Sequence, residues 1–144
     1  MNQHIHLVTL GVSDLKRSYE FYSQTLGWEA AGASNDDIKF FQAGGVVLAL
    51  FPREELAKDA LVPSEGNGFA GFTLAYNAQS ETEVDEIIRD LKAKGVKILK
   101  DPQKVFWGGY SSYFADPDGN CWEVAYNPFF PFDENGNLKL DAAP

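Results

Sequence analysis

The alternation of apolar and polar positions predicts short β-strands interrupted by amphipathic helices. Residues 5–12 form an apolar, β-rich run, and Ser13-Asp14 after it is a helix N-cap signal. A helix is predicted next, because apolar side chains then recur at helical spacing until Gly27. Three strands and a surface helix are predicted to follow this helix. Their predicted ranges are 28–31, 38–42 and 46–51 for the strands and 53–60 for the helix.

The same order recurs in the second half. A strand is predicted at 69–76, and a capping box at Ser80-Glu83 begins an amphipathic helix that Gly95 ends. Further strands are predicted at 96–99, around 105–107, at 110–115 and at 121–126. The repeated order indicates an internal duplication. We therefore expect an α+β fold of tandem βαβββ modules that form curved mixed sheets. The expected organisation is one domain at 1–128, with modules at about 4–62 and 69–127, and a C-terminal tail at 129–144.

The last two predicted strands are joined by the turn signal Asp116-Pro117-Asp118-Gly119-Asn120. Glu123 lies in the middle of the second of these strands, among apolar neighbours. A carboxylate in such surroundings costs free energy unless it has a partner or a task. Glu123 is therefore the leading candidate for a ligand contact or for proton transfer. The alternative is a carboxylate that merely accepts hydrogen bonds from Tyr, Trp or water.

Composition narrows the range of partners. The chain has 144 residues and a formal net charge of −9, which argues against nucleic acid or an anionic membrane surface as a partner and would suit a cationic or amphipathic ligand. No apolar run approaches the roughly 20 residues of a membrane span. The sequence shows no signal peptide, and the single Cys121 cannot form an internal disulfide. These features predict a cytoplasmic protein.

Two segments resemble the vicinal oxygen chelate superfamily, which includes glyoxalase I, extradiol dioxygenases and bleomycin-resistance proteins. The first segment runs from Leu10 to Tyr22 and continues with Leu26-Gly27-Trp28. The second runs from Phe114 to Asn120 and continues with Trp122-Glu123. The resemblance implies a glyoxalase/bleomycin resistance-like fold, in which paired modules form a cup for a small ligand. It also implies a homodimer, because such cups are commonly completed between two chains.

The resemblance further implies four metal-ligand positions, usually His, Glu or Gln in the family's enzymes. In this chain they fall at Leu7, Ala49, Phe72 and Glu123. Three of these side chains have no lone pairs, and a single carboxylate does not hold a divalent metal tightly. We therefore expect no metal site and no other cofactor. A register slip of one residue on the first strand would replace Leu7 by His6 and would give two ligands.

Two classes of function follow from these observations. The first is a metal-free member of the superfamily that binds a small organic molecule in an aromatic-lined cavity. The residues expected to line that cavity are Leu7, Ala49, Phe72, Trp107, Tyr113 and Glu123. The second is an enzyme, either a lyase or isomerase of the lactoylglutathione lyase type or a metal-independent catalyst with Glu123 as general base. Plain core packing is the alternative for each aromatic side chain, and the sequence leaves the choice between binding and catalysis open.

Overall fold

A computed structural model describes residues 1, 3, 5–70 and 72–140. The chain divides into two compact units, Met1–Asn67 and Gly68–Pro144. In the described residues, the first unit combines several helical segments and the second unit a single helix with one mixed β-sheet each, which confirms the predicted α+β class. No helix in the described ranges is long and apolar enough to cross a bilayer. The grouping of both modules into one domain stays a prediction.

The first unit contains a three-stranded sheet with β3 in its centre. Its elements are β1 (Leu7–Val12), α1 (Leu15–Glu20) with a π-helical continuation (Phe21–Thr25), β2 (Lys39–Ala43), β3 (Val46–Pro52) and α2 (Arg53–Ala60). Strand β3 runs parallel to β1 and antiparallel to β2. Leu10, Leu50 and Phe41 lie on one face of this sheet and are almost fully buried. The Phe41 ring contacts Tyr22, so this face packs against the helix that follows β1.

The strand predicted at 28–31 does not form, so this prediction is wrong. The indole of Trp28 packs instead against Tyr22 and Phe41, with ring centroids 5.8 and 6.0 Å apart. The last residue of the segment donates one backbone hydrogen bond to β2. Aromatic packing at one end therefore fixes the segment without a strand ladder. The first unit consequently has one strand fewer than the predicted βαβββ module.

The second unit contains the complete βαβββ module. Its elements are β4 (Leu74–Asn77), α3 (Glu81–Ala93), β5 (Ile98–Lys104), β6 (Tyr110–Ala115) and β7 (Cys121–Tyr126). The strand order is β4-β7-β6-β5, with β4 parallel to β7 and the other pairs antiparallel. Helix α3 packs on β5, β6 and β7 through its buried side chains Val84, Ile88 and Leu91. The predicted ranges of β6 and β7 are confirmed at both ends.

Two other strands of this unit differ from their predicted ranges. Strand β4 begins at Leu74 rather than at residue 69, and β5 continues through Pro102 to Lys104 instead of ending at residue 99. Proline is tolerated there because β5 is an edge strand, where a backbone N–H can remain outside the ladder. Two irregularities in the register of β5 accompany this extension. The predicted strand around 105–107 is wrong, since these residues begin a tight turn into β6.

The predicted tail contains a small β-hairpin within its described part, residues 129–140. Phe132 and Leu138 form an antiparallel bridge, and Lys139 N donates to the Pro131 carbonyl at 2.9 Å. The carboxylate of Asp133 closes the turn between these two arms. The tail therefore has its own local fold, although residues 141–144 lie outside the described ranges.

Candidate functional site

The candidate site lies on the central strands of the second sheet, where Tyr113 of β6 stands directly opposite Glu123 of β7. Side chains of directly opposed residues project from the same face of a sheet. Alternation along β6 places Ser111 on that face as well, whereas Tyr110 lies on the other face and donates to Asp85 of α3 at 2.7 Å. We call the surface formed by Lys100, Ser111, Tyr113 and Glu123 the Glu123 face. It is the face of the second sheet turned away from α3.

A serine hydroxyl fixes the carboxylate of Glu123. Ser111 Oγ donates to Glu123 Oε2 at 2.7 Å, and the Ser111 side chain is only 1% exposed. A hydrogen bond to an ionised acceptor is about twice as strong as one between neutral groups. Glu123 itself is half-buried. Its position is therefore set by a buried donor, and the residue as a whole is not fully enclosed.

The phenol of Tyr113 completes the polar part of this surface. Burial, followed by the nearby charge of Glu123, raises the pKa of Tyr113, and a hydrogen bond with Thr73 acts in the opposite direction. A phenol with a pKa of about 10 or above is protonated at neutral pH. Tyr113 can therefore donate a hydrogen bond beside an acceptor carboxylate.

A lysine supplies a positive charge to the same face. Lys100 Nζ donates to Ser111 Oγ at 3.3 Å and lies 5.1 Å from the centroid of the Tyr113 ring. Neither Lys100 nor Ser111 was predicted from the sequence. Period-two alternation with Tyr113 was the available signal for Ser111. Lys100 was missed because the predicted strand ended one residue before it.

The two candidates in the first unit share one face of its sheet. Thr9 of β1 is opposite Ala49 of β3, and Leu7 lies two residues before Thr9 on the same side. Ala49 is completely buried, whereas Leu7 is 45% exposed. His6 precedes β1, and the first residue of that strand, Leu7, pairs with Val47 of β3. The slip that would bring His6 onto this face is not found.

The remaining two candidates lie apart from the Tyr113–Glu123 pair along the chain. Phe72 precedes β4, and the residue of β4 that pairs with Glu123 is Ala75. Trp107 lies in the turn between β5 and β6, with its ring directly against Gly109. The structure therefore brings Tyr113 and Glu123 together and does not describe a contact of Phe72 or Trp107 with them. Their roles as ligand contacts stay predictions.

The donor chemistry at the four positions implied by the resemblance does not fit a tightly bound metal ion. Leu7, Ala49 and Phe72 offer no lone pair, which leaves the carboxylate of Glu123. In the described part of the chain, no group of three or more His, Cys, Asp or Glu side chains is placed to hold a metal. The Glu123 face can instead offer hydrogen bonds, one charge of each sign and an aromatic ring.

A separate open groove of about 580 Å³ lies in the first unit, beside the edge strand β2. It is lined by residues 28–32 together with Gln42 and Ala43. None of the predicted site residues lines this groove. It marks the place where the segment 28–31 runs beside β2 without forming a strand.

Comparison with known proteins adds information on ancestry. Residues 4–124 match the family described as Glyoxalase/Bleomycin resistance protein/Dioxygenase superfamily. The structure is similar to that of a glyoxalase-related enzyme from Fulvimarina pelagi, with a TM-score of 0.87 and 35% sequence identity. That similarity covers 98% of this chain and 100% of the other chain.

Two curated relatives are also similar in sequence. The uncharacterized protein YraH of Bacillus subtilis is 30% identical over 81% of this chain and 93% of its own length. The metallothiol transferase FosB of Staphylococcus saprophyticus is 30% identical over 86% of this chain and 77% of its own length. These matches extend over both units.

Proposed function

Because the chain belongs to the Glyoxalase/Bleomycin resistance protein/Dioxygenase superfamily, we propose that it binds a small organic molecule at the Glu123 face without a metal ion. One observation carries this proposal. The carboxylate of Glu123 is held by a buried serine hydroxyl and stands opposite a protonated phenol, in a half-buried setting. Such an arrangement offers directional hydrogen bonds and an aromatic surface, which small-molecule sites commonly combine.

The chemistry of the other positions supports the metal-free part of the proposal. Leu7, Ala49 and Phe72 are apolar at the positions where the resemblance places metal ligands. Apolar side chains suit the body of an organic ligand and cannot coordinate Zn²⁺ or Ni²⁺. Phe72 and Trp107, which lie in the same unit as Glu123, are included in the proposed ligand contacts. Leu7 and Ala49 stay predictions for the first unit. A homodimer and a cytoplasmic setting belong to the same proposal, and light scattering on the purified chain tests the dimer.

Metal content and ligand binding together test the proposed function. The purified full chain, incubated with Zn²⁺ or Ni²⁺ and then desalted, is expected to retain far less than one metal ion per chain. Compounds that raise the melting temperature in a small-molecule screen are expected to lose about tenfold or more in affinity with Glu123→Gln, since a charge-assisted hydrogen bond is lost. Glu86→Gln on the exposed surface of α3 is the matched control and is expected to change nothing.

Two results would overturn the proposal. Stoichiometric, tightly bound metal would show that the chain has a metal site that its residues do not suggest. If every screening hit binds Glu123→Gln as tightly as the wild type, the Glu123 carboxylate is not part of the binding site.

The second candidate function is catalysis, with Glu123 as general base. It is supported by the fixed position of the carboxylate, since a general base must be held within hydrogen-bonding reach of the proton that it removes. It is also supported by relatives named as enzymes, among them the metallothiol transferase FosB. Turnover in a glyoxalase assay, with or without Zn²⁺ or Ni²⁺, would favour catalysis over binding, because a binding protein is expected to show none.

A further inference from the structure

The side chain of Lys100 brings a positive charge to a surface on an otherwise acidic chain. The chain carries a net charge of −9, yet the ammonium group of Lys100 lies against Ser111 and Tyr113, on the same face as Glu123. Within the described residues, no carboxylate lies within 4.0 Å of the Lys100 ammonium group to form an ion pair. The net charge of the chain therefore does not predict the charge of the Glu123 face, where Lys100 and Glu123 supply one charge of each sign.

A single buried hydroxyl holds these two opposite charges. Ser111 donates its hydrogen to Glu123 Oε2 at 2.7 Å and accepts a hydrogen bond from Lys100 Nζ at 3.3 Å. A serine hydroxyl has one hydrogen and two lone pairs, so it can make both bonds at once. The two charged groups then lie at most roughly 6 Å apart, since each is one hydrogen bond away from the same oxygen.

This separation leaves both charged groups able to bind something else. An ammonium group has three donors, and an ionised carboxylate has about four acceptor sites. One donor of Lys100 and one acceptor site of Glu123 are used in the bonds to Ser111. In a direct ion pair, by contrast, each charge would satisfy the other.

We propose that the Glu123 face selects compact zwitterions of the amino-acid type, whose ammonium group meets Glu123 and whose carboxylate meets Lys100. This inference rests on the proposed binding function and names its ligand class. The two charges of such a ligand are close enough together to span the two protein groups. A ligand with only a positive charge is repelled by Lys100, and one with only a negative charge is repelled by Glu123.

Matched probes of one shape and different charge test the proposal. One series consists of L-phenylalanine, phenethylamine and 3-phenylpropionate, and a second consists of L-leucine, 3-methylbutylamine and 4-methylpentanoate. Affinities of the full chain are measured at constant ionic strength from amide chemical-shift changes, which report millimolar binding. In at least one series the zwitterion is expected to bind about tenfold or more tightly than either analogue, because it gains a second charge-assisted contact.

Variants assign the preference to the two charged groups. In Lys100→Met, the affinity for the zwitterion is expected to fall to about that for the amine analogue. In Glu123→Gln, it is expected to fall to about that for the carboxylate analogue. Lys104→Met is the matched control, because Lys104 lies on the same strand but pairs with Glu81 of α3 on the other face. It is expected to leave the preference unchanged. Thermal unfolding of each variant verifies that it is folded.

The outcomes separate this inference from the proposed function. Equal binding of the zwitterion and its analogues in both series, or no binding of either zwitterion, overturns the inference. If the screening hits still depend on Glu123 in that case, the proposed binding function stands and the ligand class is wrong. Retention of the preference by Lys100→Met also overturns the role assigned to Lys100.

Discussion

At the tip of the hairpin between β5 and β6, the indole of Trp107 occupies the space in which residue 109 would carry a side chain. A Cβ atom at Gly109 would lie 1.6 Å from Cζ3 of Trp107. Backbone hydrogen bonds from Val105 N to Gly109 O and from Gly108 N to Val105 O, both 3.0 Å, close the same turn. The absence of a side chain at residue 109 thus allows the indole to fold over the turn.

Gly109→Ala is therefore expected to displace the Trp107 ring. The tryptophan fluorescence is expected to shift to longer wavelength, and the free energy of unfolding to fall by about 1–3 kcal/mol, as for other overpacked sites. Gly45→Ala is the control, because a Cβ atom there meets nothing within 4 Å. An unchanged emission spectrum for Gly109→Ala would contradict the described position of the indole.

At the scale of elements, two hairpins of the second unit use the same turn chemistry. In the hairpin of β6 and β7, called the closing hairpin below, Asp116 Oδ1 accepts from the backbone N of Asp118 and Asn120 at 2.9 and 2.8 Å. In the tail, Asp133 Oδ1 accepts from the residues at the same two offsets, at 2.8 and 2.9 Å. A glycine with positive φ is the fourth residue of each turn. Both turns therefore share an aspartate that caps its own backbone and a glycine three residues later.

Asp116→Ala is expected to destabilise the closing hairpin. Asp116 is 5% exposed, and its loss leaves the partly buried N–H groups of Asp118 and Asn120 without their acceptor, at a cost of about 1–3 kcal/mol in the free energy of unfolding. Urea unfolding measures this change. Asp116→Asn keeps an acceptor oxygen and is expected to recover most of the loss. Equal destabilisation by both substitutions would show that the charge, and not the acceptor, matters.

The tail hairpin is expected to weaken in acid. The backbone hydrogen bond from Asn137, followed by that from Asn135, holds the pKa of Asp133 below its ordinary value of 3.8. The ionised Asp133 carboxylate therefore stabilises the hairpin fully above pH 3.8. This contribution is lost as the pH falls through the folded-state pKa. The amide chemical shifts of residues 135 and 137 are expected to titrate below pH 3.8. In Asp133→Asn, which does not titrate, these shifts are expected to be independent of pH.

At the scale of the whole molecule, excess negative charge is combined with tyrosines that lie beside carboxylates. The Tyr76 and Tyr110 hydroxyls donate to Glu83 and Asp85 at 2.9 and 2.7 Å. Burial is the main cause that raises the pKa of Tyr76, and the hydrogen bond to Asp85 is the main cause for Tyr110. Deprotonation would add a negative charge beside an existing one in a chain that already carries −9.

The chain is therefore expected to lose stability in alkali. Because the folded-state pKa of each tyrosine is above 10.0, its contribution is complete below pH 10.0 and is lost as the pH rises through the folded-state value. Urea unfolding of the wild type and of Tyr110→Phe is compared at about pH 8 and about pH 11. The variant is expected to be less stable at the lower pH and closer to the wild type at the higher pH. If the difference in unfolding free energy between the wild type and Tyr110→Phe is the same at both pH values, the stability is not linked to the ionisation of Tyr110.

The sequence alone determined the features that local chemistry sets. The ends of β6 and β7 were predicted correctly because the Asp116 turn and strict alternation fix a hairpin between neighbouring segments. The start of α1 follows from Asp14, whose side chain accepts from Arg17 N at 3.0 Å. The position of Glu123 opposite Tyr113 follows from the same hairpin.

Only the tertiary structure decided which side chains surround Glu123. Lys100, Ser111 and Glu123 come from three strands, and their contact depends on the irregular register between β5 and β6. The tertiary structure also decided that 28–31 is not a strand, since Trp28 packs against Phe41 instead. Sequence patterns report periodicity within an element. The pairing of distant elements depends on packing among residues far apart in the chain, which a local pattern does not contain.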